Sequence, residues 1–346
     1  MSKLHSLVVE EIQSLTPNSV AVRFGLPPEF ADDFSFQAGQ YLTLEASIDE
    51  TVVRRAYSLC SAPVENRLTV GIKKVPAGVF SSFANDTLKV GDVLGVAPPT
   101  GRFVFSPSSA KENLLLVAAG SGITPIFSIL KQTLETAPQT AIHLVYGNKT
   151  PEETMFKSQL EAMERSSGGQ FKIHWMYSQR NEDNALFGRI DKAAVRYALN
   201  QMREGAKKAF LCGPEGMIDV AKKTLLETGL EEEAIFYELF HSKSDASAPV
   251  EDSKSIELTI VSDDETHHLS SSKTQTILDA ALNEKIDVPY SCQGGVCCSC
   301  IAKITAGEVK MENNQILTDD EINDGLVLTC ISHPISSQIT VNYDDV

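Results

Sequence analysis

Short runs of alternating apolar and polar residues fill the first part of the chain. Turn-forming residues such as Gly39, the Gly91-Asp92 pair and the Pro98-Pro99 pair separate the runs, which are SVAVRF, QYLTLEA, RAYSLC, RLTVGIKK and DVLGVA. Regularly spaced short strands separated by turn-forming residues are typical of an antiparallel barrel or sandwich. The pattern therefore predicts an all-β domain over residues 1–107.

The pattern changes after Asn113. Four nearly continuous apolar runs predict strands buried on both faces, namely LLLVAA, AIHLVYG, KIHWMYS and KKAFLCG. Segments with apolar residues at helical spacing lie among them, namely IFSILKQTLE, PEETMFKSQLEAMER and PEGMIDVAKKTLLETG. Strands that alternate with helices indicate a doubly wound α/β domain with a parallel sheet, which we assign to residues 108–240.

A third domain follows a polar segment. Residues 241–254, HSKSDASAPVEDSK, have no apolar periodicity and are interpreted as a linker. Residues 255–346 contain two predicted strands near SIELTIV and HHLSSSK and a predicted helix, TILDAALNEK. They also contain a capping-box sequence, TDDE, and a late strand, LVLTCIS, that is expected to present Cys330.

Charge separates this C-terminal part from the rest. Residues 255–346 carry fifteen acidic residues, four lysines and no arginine, a net of -11 out of -16 for the chain. Such acidity argues against nucleic acid or an anionic membrane as a partner. The sequence shows no run of eighteen apolar residues and no signal-peptide pattern, so a cytoplasmic protein is expected.

Four of the seven cysteines lie between Cys292 and Cys300, in the stretch YSCQGGVCCSC. Cys292, Cys297 and Cys300 have the spacing C-x4-C-x2-C, and twenty-nine residues separate Cys300 from Cys330. This is the ligand pattern of a plant-type [2Fe–2S] cluster. Gly294 and Gly295 permit the backbone dihedral angles that the tight ligand loop needs. Cys298 falls outside the pattern and is predicted not to be a ligand.

Two other metal centres fit this spacing less well. Zinc could be bound by Cys297, Cys300, Cys330 and His333, but Cys292 would be unused and the gap between the pairs is long for zinc. A Rieske cluster needs two histidine ligands, and only His333 lies near a cysteine in the sequence. The spacing favours the plant-type cluster.

The first two domains contain further motifs. Gly120 and Gly122, in AAGSGITPIFSIL, lie between a buried strand and a helix, where glycines let the backbone approach a pyrophosphate. The motif departs from G-x-G-x-x-G because Pro125 replaces the last glycine. Cys212, in LCGPEGM, is predicted at the carboxyl end of a strand, where open α/β sheets bind ligands. Other short motifs are RRAYSLCS, GVFSS, PPTGRF and YELF.

Together these motifs resemble the ferredoxin–NADP reductase superfamily over nearly the full length of the chain. Within it, they are most similar to the reductase components of phenylacetyl-CoA epoxidase and related oxygenases. The resemblance implies an antiparallel β-barrel that binds FAD, a doubly wound α/β domain that binds NAD(P), and an α+β (β-grasp) ferredoxin domain.

The resemblance also implies roles for residues of the flavin domain. Arg55 is expected to pair with the flavin pyrophosphate, a task suited to guanidinium, and Tyr57 to pack against the isoalloxazine ring. Ser58 is expected to form a hydrogen bond near flavin N5. Backbone amides at a helix start would hold phosphate in the second motif, which comprises Gly78, Val79, Phe80 and Ser81.

In the nucleotide domain the resemblance places Thr124 and Cys212 beside the nicotinamide, and Glu238 and Phe240 on the side of the flavin that faces the nicotinamide. Other expected nucleotide contacts are Gly120, Gly122, Gly213 and Pro214. Ser178 and Arg180 could hold a ribose 2′-phosphate, which favours NADPH over NADH, although Glu182 and Asp183 are close in sequence. Ser58, Cys212 and Glu238 are the predicted catalytic positions.

The expected function is electron transfer from NAD(P)H through FAD and the cluster to a terminal oxygenase or hydroxylase. A plant-type cluster has a potential of about -400 mV, which is reducing enough for such a partner. The acidic third domain predicts a basic docking face on that partner. The alternatives are a ferredoxin- or flavodoxin-type NADP reductase or diaphorase with another acceptor, and an iron–sulfur redox sensor, for which the sequence shows no effector or DNA-binding segment.

Overall fold

The chain forms two compact units, Leu4–Phe240 and a C-terminal unit whose described residues begin at Ser255. This computed structural model describes residues 4–105, 112–240, 255–312, 314 and 316–346. The linker predicted at 241–254 and the domain boundary predicted between residues 107 and 108 lie outside the described residues.

An antiparallel six-stranded sheet opens the first unit, in the order β4-β3-β6-β1-β2-β5. A bridge between Leu59 and Val70 connects the end of β4 to β5 and so links the two sheet edges into a barrel. Alternating residues of the strands point inward to a core that includes Leu7, Leu42 and Phe80. The elements are β1 His5–Thr16, β2 Ser19–Phe24, β3 Tyr41–Ile48, β4 Thr51–Ser58, β5 Leu68–Lys73, α1 Val79–Asp86 and β6 Val93–Val96.

A parallel six-stranded sheet forms the rest of this unit, in the order β10-β9-β8-β7-β11-β12. Its central strand β7 is buried almost throughout, as its continuous apolar sequence predicts. The elements are β7 Leu114–Ala119, α2 Ile123–Thr136, β8 Ile142–Asn148, α3 Lys157–Ser166, β9 Phe171–Tyr177, β10 Leu186–Phe187, α4 Lys192–Gln201, β11 Lys208–Gly213, α5 Glu215–Glu227 and β12 Ile235–Leu239.

The C-terminal unit has a mixed five-stranded sheet in the order β14-β13-β19-β15-β17, and a separate pair, β16 with β18. The helix α6 packs its buried Ile277, Leu278 and Ala281 into the same core as the sheet. The elements are β13 Ser255–Ser262, β14 Glu265–Ser272, α6 Ile277–Asn283, β15 Ile301–Ala306, β16 Val309–Met311, α7 Asp319–Asn323, β17 Leu326–Leu328, β18 Ser332–Pro334 and β19 Gln338–Asn342.

The three predicted fold classes are confirmed, and several details differ. Cys330 does not lie on a strand, since β17 ends at Leu328 and a 3₁₀ turn over Thr329–Ile331 carries the cysteine. The helix α4 was not predicted, and neither were six strands, namely β1, β10, β15, β16, β18 and β19. The helix expected to begin at Pro151 is a 3₁₀ turn over Pro151–Glu153, and α3 begins only at Lys157.

Candidate functional site

Two segments of the barrel bring the predicted flavin residues together. Strand β4 carries Arg55, Tyr57 and Ser58 at its carboxyl end, and helix α1 packs against β4 and β5. The ring of Tyr57 lies 5.5 Å, centroid to centroid, from the ring of Phe80 in α1. Burial raises the pKa of Tyr57 well above its usual range, and the guanidinium of Arg55 partly offsets this. Phe80 is itself buried, so it supports Tyr57 and can hold a cofactor only through its backbone.

The start of α1 fits the phosphate-binding role expected for it. Gly78 precedes the helix, and among the described residues no side chain caps its amides. A Cβ on Gly78 would come within 2.4 Å of Ser81 Oγ and 2.5 Å of Val75 Cγ2. Ser81 Oγ donates to Gly78 O and accepts from the amide of Val75, so its hydroxyl holds the turn in shape. The barrel can therefore place FAD with its phosphates on α1 and its ring beside Tyr57 and Ser58.

The glycine turn between β7 and α2 is shaped for close backbone approach. Gly120 has a φ of +56°, and a Cβ on Gly122 would lie 2.1 Å from Cys212 O, so only glycine fits there. Tyr146, fully buried, donates from its hydroxyl to Gly120 O at 3.0 Å. Thr124 Oγ1 donates to Ser121 O at 3.0 Å and closes the first turn of α2.

The carboxyl ends of β11 and β12 place the next predicted residues side by side. Cys212 pairs with Glu238 in the parallel register, and the amide of Phe240 donates to Gly213 O. Burial, and to a lesser degree the carboxylate of Glu238, raise the pKa of Cys212 well above its usual range. Burial therefore disfavours the thiolate form of Cys212. Pro214 immediately precedes α5, and its side chain forms no capping hydrogen bond.

Ser178 and Arg180 follow β9, as predicted, but their surroundings are more acidic than the local sequence indicates. Arg180 donates from Nη1 to Glu152 Oε1 at 2.8 Å and lies 3.0 Å, through Nε, from Glu182 Oε1. The side chain of Arg180 is 55% exposed. The amide of Ser178 donates to Asn148 O at 3.0 Å. Burial raises the pKa of the neighbouring Tyr177 to about 12.

Lys73 is a functional candidate that sequence reasoning missed. It ends β5, and its Nζ would lie 3.9 Å from a Cβ on Gly120, so its ammonium faces the glycine turn. Burial lowers the pKa of Lys73, Glu153 opposes this, and Lys149 adds to it. A cation beside a turn that binds phosphate suits an anionic nucleotide. The only signal in the sequence was the Lys-Lys pair after an apolar strand, which is common in strands without a site.

In the C-terminal unit the four predicted cluster cysteines converge from the loop and the 3₁₀ turn. The thiol of Cys292 lies close to those of Cys297 and Cys330, and the thiol of Cys300 lies close to that of Cys330. Backbone amides point at sulfur, from Gly294 to Cys292 Sγ at 3.4 Å and from Gly295 to Cys330 Sγ at 3.3 Å. Four thiols with amide donors are the chemistry that holds a [2Fe–2S] cluster.

Two further features fix this loop. Gly295 has a φ of +72°, and a Cβ there would meet Ile331 Cδ1 at 2.8 Å. Thr329 Oγ1 donates to Cys300 O at 3.0 Å and accepts from the Tyr343 hydroxyl at 2.9 Å. His333, the fourth ligand of the zinc alternative, has its Nε2 3.9 Å from Glu312 Oε1. Among the described residues, no three His, Cys, Asp or Glu side chains surround a single-ion centre.

The folds and sites of the two units define an oxidoreductase that uses a flavin, a nicotinamide nucleotide and an iron–sulfur cluster. The sequence matches the Oxidoreductase FAD-binding domain over residues 6–105 and the Oxidoreductase NAD-binding domain over residues 116–223. It also matches the 2Fe-2S iron-sulfur cluster binding domain over residues 260–334. No helix in the described ranges is long and apolar enough to cross a membrane.

Known proteins match along the whole chain. It is 33% identical to one of the subunits of 1,2-phenylacetyl-CoA epoxidase from Escherichia coli (strain K12), over 99% of each chain. It is 34% identical to the ferredoxin reductase component of 3-ketosteroid-9-alpha-monooxygenase from Rhodococcus rhodochrous, over 98% of this chain and 95% of that one. Phthalate dioxygenase reductase has the same fold, with a TM-score of 0.65, 22% identity and 98% coverage of each chain.

The chain belongs to the ferredoxin–NADP reductase superfamily, in the family of three-domain reductases that includes these epoxidase and monooxygenase components. It is an NAD(P)H-dependent oxidoreductase with FAD and a [2Fe–2S] cluster as its electron carriers. These cofactors and this class were predicted from the motifs and are confirmed. The domain boundaries and the roles of individual residues stay predictions, including the exclusion of Cys298 from the cluster.

Proposed function

We propose that this chain is the reductase component of an oxygenase system and delivers electrons to a separate terminal oxygenase or hydroxylase. The observation that carries the proposal is the match, over 99% of both chains, to one component of an epoxidase. The bound cofactors supply the redox chemistry, which is hydride acceptance by FAD and single-electron transfer by the cluster. The protein residues bind these groups, orient them and keep water from them.

The chain's own residues divide this work. Arg55 and the start of α1 hold the flavin phosphates, while Tyr57 and Ser58 shape the ring site at the end of β4. Gly120, Gly122 and the amides of α2 receive the nucleotide pyrophosphate. Cys212, Glu238, Thr124 and Phe240 border the nicotinamide, and the pairing of Cys212 with Glu238 keeps one carboxylate there in a largely buried position. The sulfurs of Cys292, Cys297, Cys300 and Cys330 ligate the cluster.

NADPH is the proposed electron donor. Arg180 follows β9 where a ribose 2′-phosphate would bind, and guanidinium suits planar recognition of phosphate. Glu152 and Glu182 orient Arg180 through ion pairs that are largely exposed. Exposed ion pairs contribute little energy, so a phosphate dianion can replace one carboxylate at the guanidinium.

The acidic C-terminal unit is the proposed docking surface for a partner with a basic face. Asp319, Asp320 and Glu321 form the first turn of α7, and α7 packs against β17. Strand β17 leads directly into the turn that carries Cys330. These acids favour the start of their own helix, but their place beside a cluster ligand also puts negative charge where an acceptor must approach.

We also place the protein in the cytoplasm. None of the seven cysteines, all of which lie in the described residues, is part of a disulfide, which suits a reducing compartment.

The oxygenase assignment is tested in an extract of Escherichia coli K12 from which the matching component of its own epoxidase has been deleted. The purified chain and NADPH are added, and epoxidation of phenylacetyl-CoA is measured. Restored epoxidation supports the proposal. A chain that reduces cytochrome c in the same extract without oxygen-dependent oxidation of phenylacetyl-CoA argues for a different acceptor.

The docking surface is tested by the salt dependence of cytochrome c reduction, because cytochrome c is a basic one-electron acceptor. Salt should slow this reduction, since the Debye length falls to about 10 Å at 0.1 M. Asp319→Asn/Asp320→Asn should weaken the salt dependence, whereas Asp263→Asn/Asp264→Asn, with the same charge change in the β13–β14 turn, should not. Reduction that is flat with salt and equal in all three proteins would contradict a docking role.

A further inference from the structure

One serine in α2 forms a hydrogen bond unlike those of its neighbours. Thr133 and Thr136 donate from their hydroxyls to carbonyls of their own helix, Ile129 O and Gln132 O, at 2.7 Å each. That bond within the helix is the ordinary one for a hydroxyl in this position. Ser128 instead donates to Ser61 O, at 2.6 Å, on a segment 67 residues away. Both residues are buried, so water does not compete for this bond.

Two further contacts extend from the same face of α2. Lys131 forms an ion pair with Glu65. The side-chain oxygen of Gln132 accepts from the amide of Val64 at 3.3 Å. Ser128, Lys131 and Gln132 follow the i, i+3, i+4 spacing that puts side chains on one helix face. These three residues, with Ser61, Val64 and Glu65, are called the seam clamp below.

The seam clamp joins the two halves of the predicted active site. Ser61 lies three residues beyond Ser58, about 10 Å along an extended chain. Ser128 lies one turn beyond Thr124, about 6 Å along the helix axis. Beside the clamp, a cavity of about 350 Å³, bordered by Cys60, Phe127 and Phe156 among others, separates the barrel from the α/β domain. The polar contacts of the seam clamp therefore connect the two domains beside a cavity, where side-chain packing between the domains is incomplete.

We propose that the seam clamp is a positioning device that sets the separation between the flavin and nicotinamide sites for hydride transfer. This proposal rests on the proposed function. In the step, NAD(P)H loses a hydride with both electrons of a C–H bond, and FAD gains it, so one is oxidised as the other is reduced. The rate of such a transfer depends steeply on the approach of the two reacting atoms. Ser128 and Ser61 touch neither atom and act through the helix and strand that they hold.

Another part of the domain contact is apolar, and we expect it to remain intact when the clamp is broken. Phe103 and Phe105 of the barrel segment pack against Phe210 of β11, with ring centroids 5.4 Å apart in each pair. Loss of the clamp should therefore tilt or loosen the domains without separating them. It should slow hydride transfer and leave each cofactor site in place.

The test compares Ser128→Ala with Thr133→Val in the full-length holoprotein. Thr133→Val removes a buried hydroxyl from the same helix, but one that bonds only within the helix. Anaerobic stopped-flow bleaching of the flavin by NADPH gives the hydride-transfer rate. We expect Ser128→Ala to lower this rate by about tenfold and to alter the primary isotope effect with 4-deuterated NADPH. FAD content and the KM for NADPH should stay near the wild-type values.

Lys131→Met provides a second variant that breaks the clamp without leaving a buried carbonyl unpaired. Its hydride-transfer rate should also fall, while Thr133→Val should keep the wild-type rate. Wild-type rates in both Ser128→Ala and Lys131→Met overturn the proposal, as does equal slowing in Ser128→Ala and Thr133→Val. A wild-type holoprotein whose flavin NADPH and NADH both fail to reduce would instead refute the proposed function, so the two failures are distinguishable.

Discussion

Gly122 packs against the backbone of β11, in a turn that the glycine pattern of the sequence indicates. The glycine pattern predicted a turn that a pyrophosphate can approach. The structure adds that a Cβ at Gly122 would lie 2.1 Å from Cys212 O, so the glycine also lets two motifs of one site meet. Both motifs could be predicted from local sequence, because a few adjacent residues define each one: the glycines of the turn in the first and the Cys-Gly-Pro sequence in the second.

Partners that are distant in sequence were not predicted. Glu152 contacts Arg180 across 28 residues, and Lys73 reaches the turn at Gly120 from a different domain. Each residue is ordinary in its own segment, and only the pairing of β8 with β9, or the approach of β5 to the glycine turn, gives it a role. The local sequence around Arg180 therefore indicated a more basic ribose site than the structure contains.

Arg180→Ala tests the choice of nucleotide. The substitution should lower kcat/KM for NADPH by about tenfold or more, since a charge-assisted hydrogen bond contributes about 1.5–3 kcal/mol. Activity with NADH should change little. Steady-state reduction of ferricyanide with each nucleotide measures both values, and Arg189→Ala, another exposed arginine nearby, is the matched control. Equal or better use of NADH by the wild-type protein would reject NADPH as the preferred donor.

At the scale of elements, most strands and helices with strong periodicity were predicted, although the alternating strand β1 was not, and the irregular elements were missed. The cluster turn is an example, since LVLTCIS has the composition of a strand. The amide and hydroxyl of Thr329 both donate to Cys300 O, which bends the chain into a 3₁₀ turn instead. Strand β10 has only two residues, too few for a period to show. Helix α4 did carry a signal, because Asp191 caps it by accepting from the amide of Ala194.

A histidine pair joins two strands of the α/β domain. His143 Nδ1 in β8 and His174 Nε2 in β9 are 3.0 Å apart, and the ring of Tyr197 from α4 packs edge-on against His174. Burial lowers the pKa of His174 to about 4, with further lowering by His143 and Lys172. Burial also lowers the pKa of His143. Burial therefore disfavours the protonated form of both rings in the folded protein.

This pair predicts a loss of stability in acid. Because the pKa of His174 is lower in the folded state than its ordinary value of 6.5, the unfolded chain binds the proton more tightly. The contribution of the neutral histidine pair to the free energy of unfolding is complete above pH 6.5 and is lost as the pH falls toward 4. Allowing for partial solvent screening, we expect the free energy of unfolding to fall by about 1–2 kcal/mol through this pair. Calorimetric scans between these two pH values measure it.

His174→Gln should flatten that pH dependence, while His268→Gln, an exposed histidine on β14, should leave it unchanged. The comparison between variants removes the contribution of carboxylates that titrate in the same range. An identical pH dependence in His174→Gln and the wild-type protein would show that the pair does not govern acid stability.

For the whole molecule, composition already separated the parts that the structure separates. The net charge of -11 on residues 255–346 marks a distinct domain, and the structure makes the described residues of this segment a compact unit of their own. The barrel and the α/β domain, by contrast, form one unit with a shared apolar cluster. The pattern of apolar and polar residues distinguished these two domains but gave no measure of how tightly they associate. Their contact depends on side chains from many separate strands.

This division predicts that the two redox activities can be separated by truncation. A fragment ending at Ser244 keeps every predicted flavin and nucleotide residue and the whole Leu4–Phe240 unit. It should bind FAD and reduce ferricyanide with NADPH at a rate similar to that of the full chain, because hydride transfer needs only this unit. It should lose most cytochrome c reduction, because the cluster is the single-electron exit. The full-length Cys330→Ser variant is the matched control, since it keeps the third domain and removes one predicted cluster ligand, and it should show the same two activities as the fragment. Absorption spectra and both acceptor assays measure the outcome.

A folded fragment without flavin would contradict the boundary, and undiminished cytochrome c reduction in both proteins would show that electrons leave from the flavin and bypass the cluster.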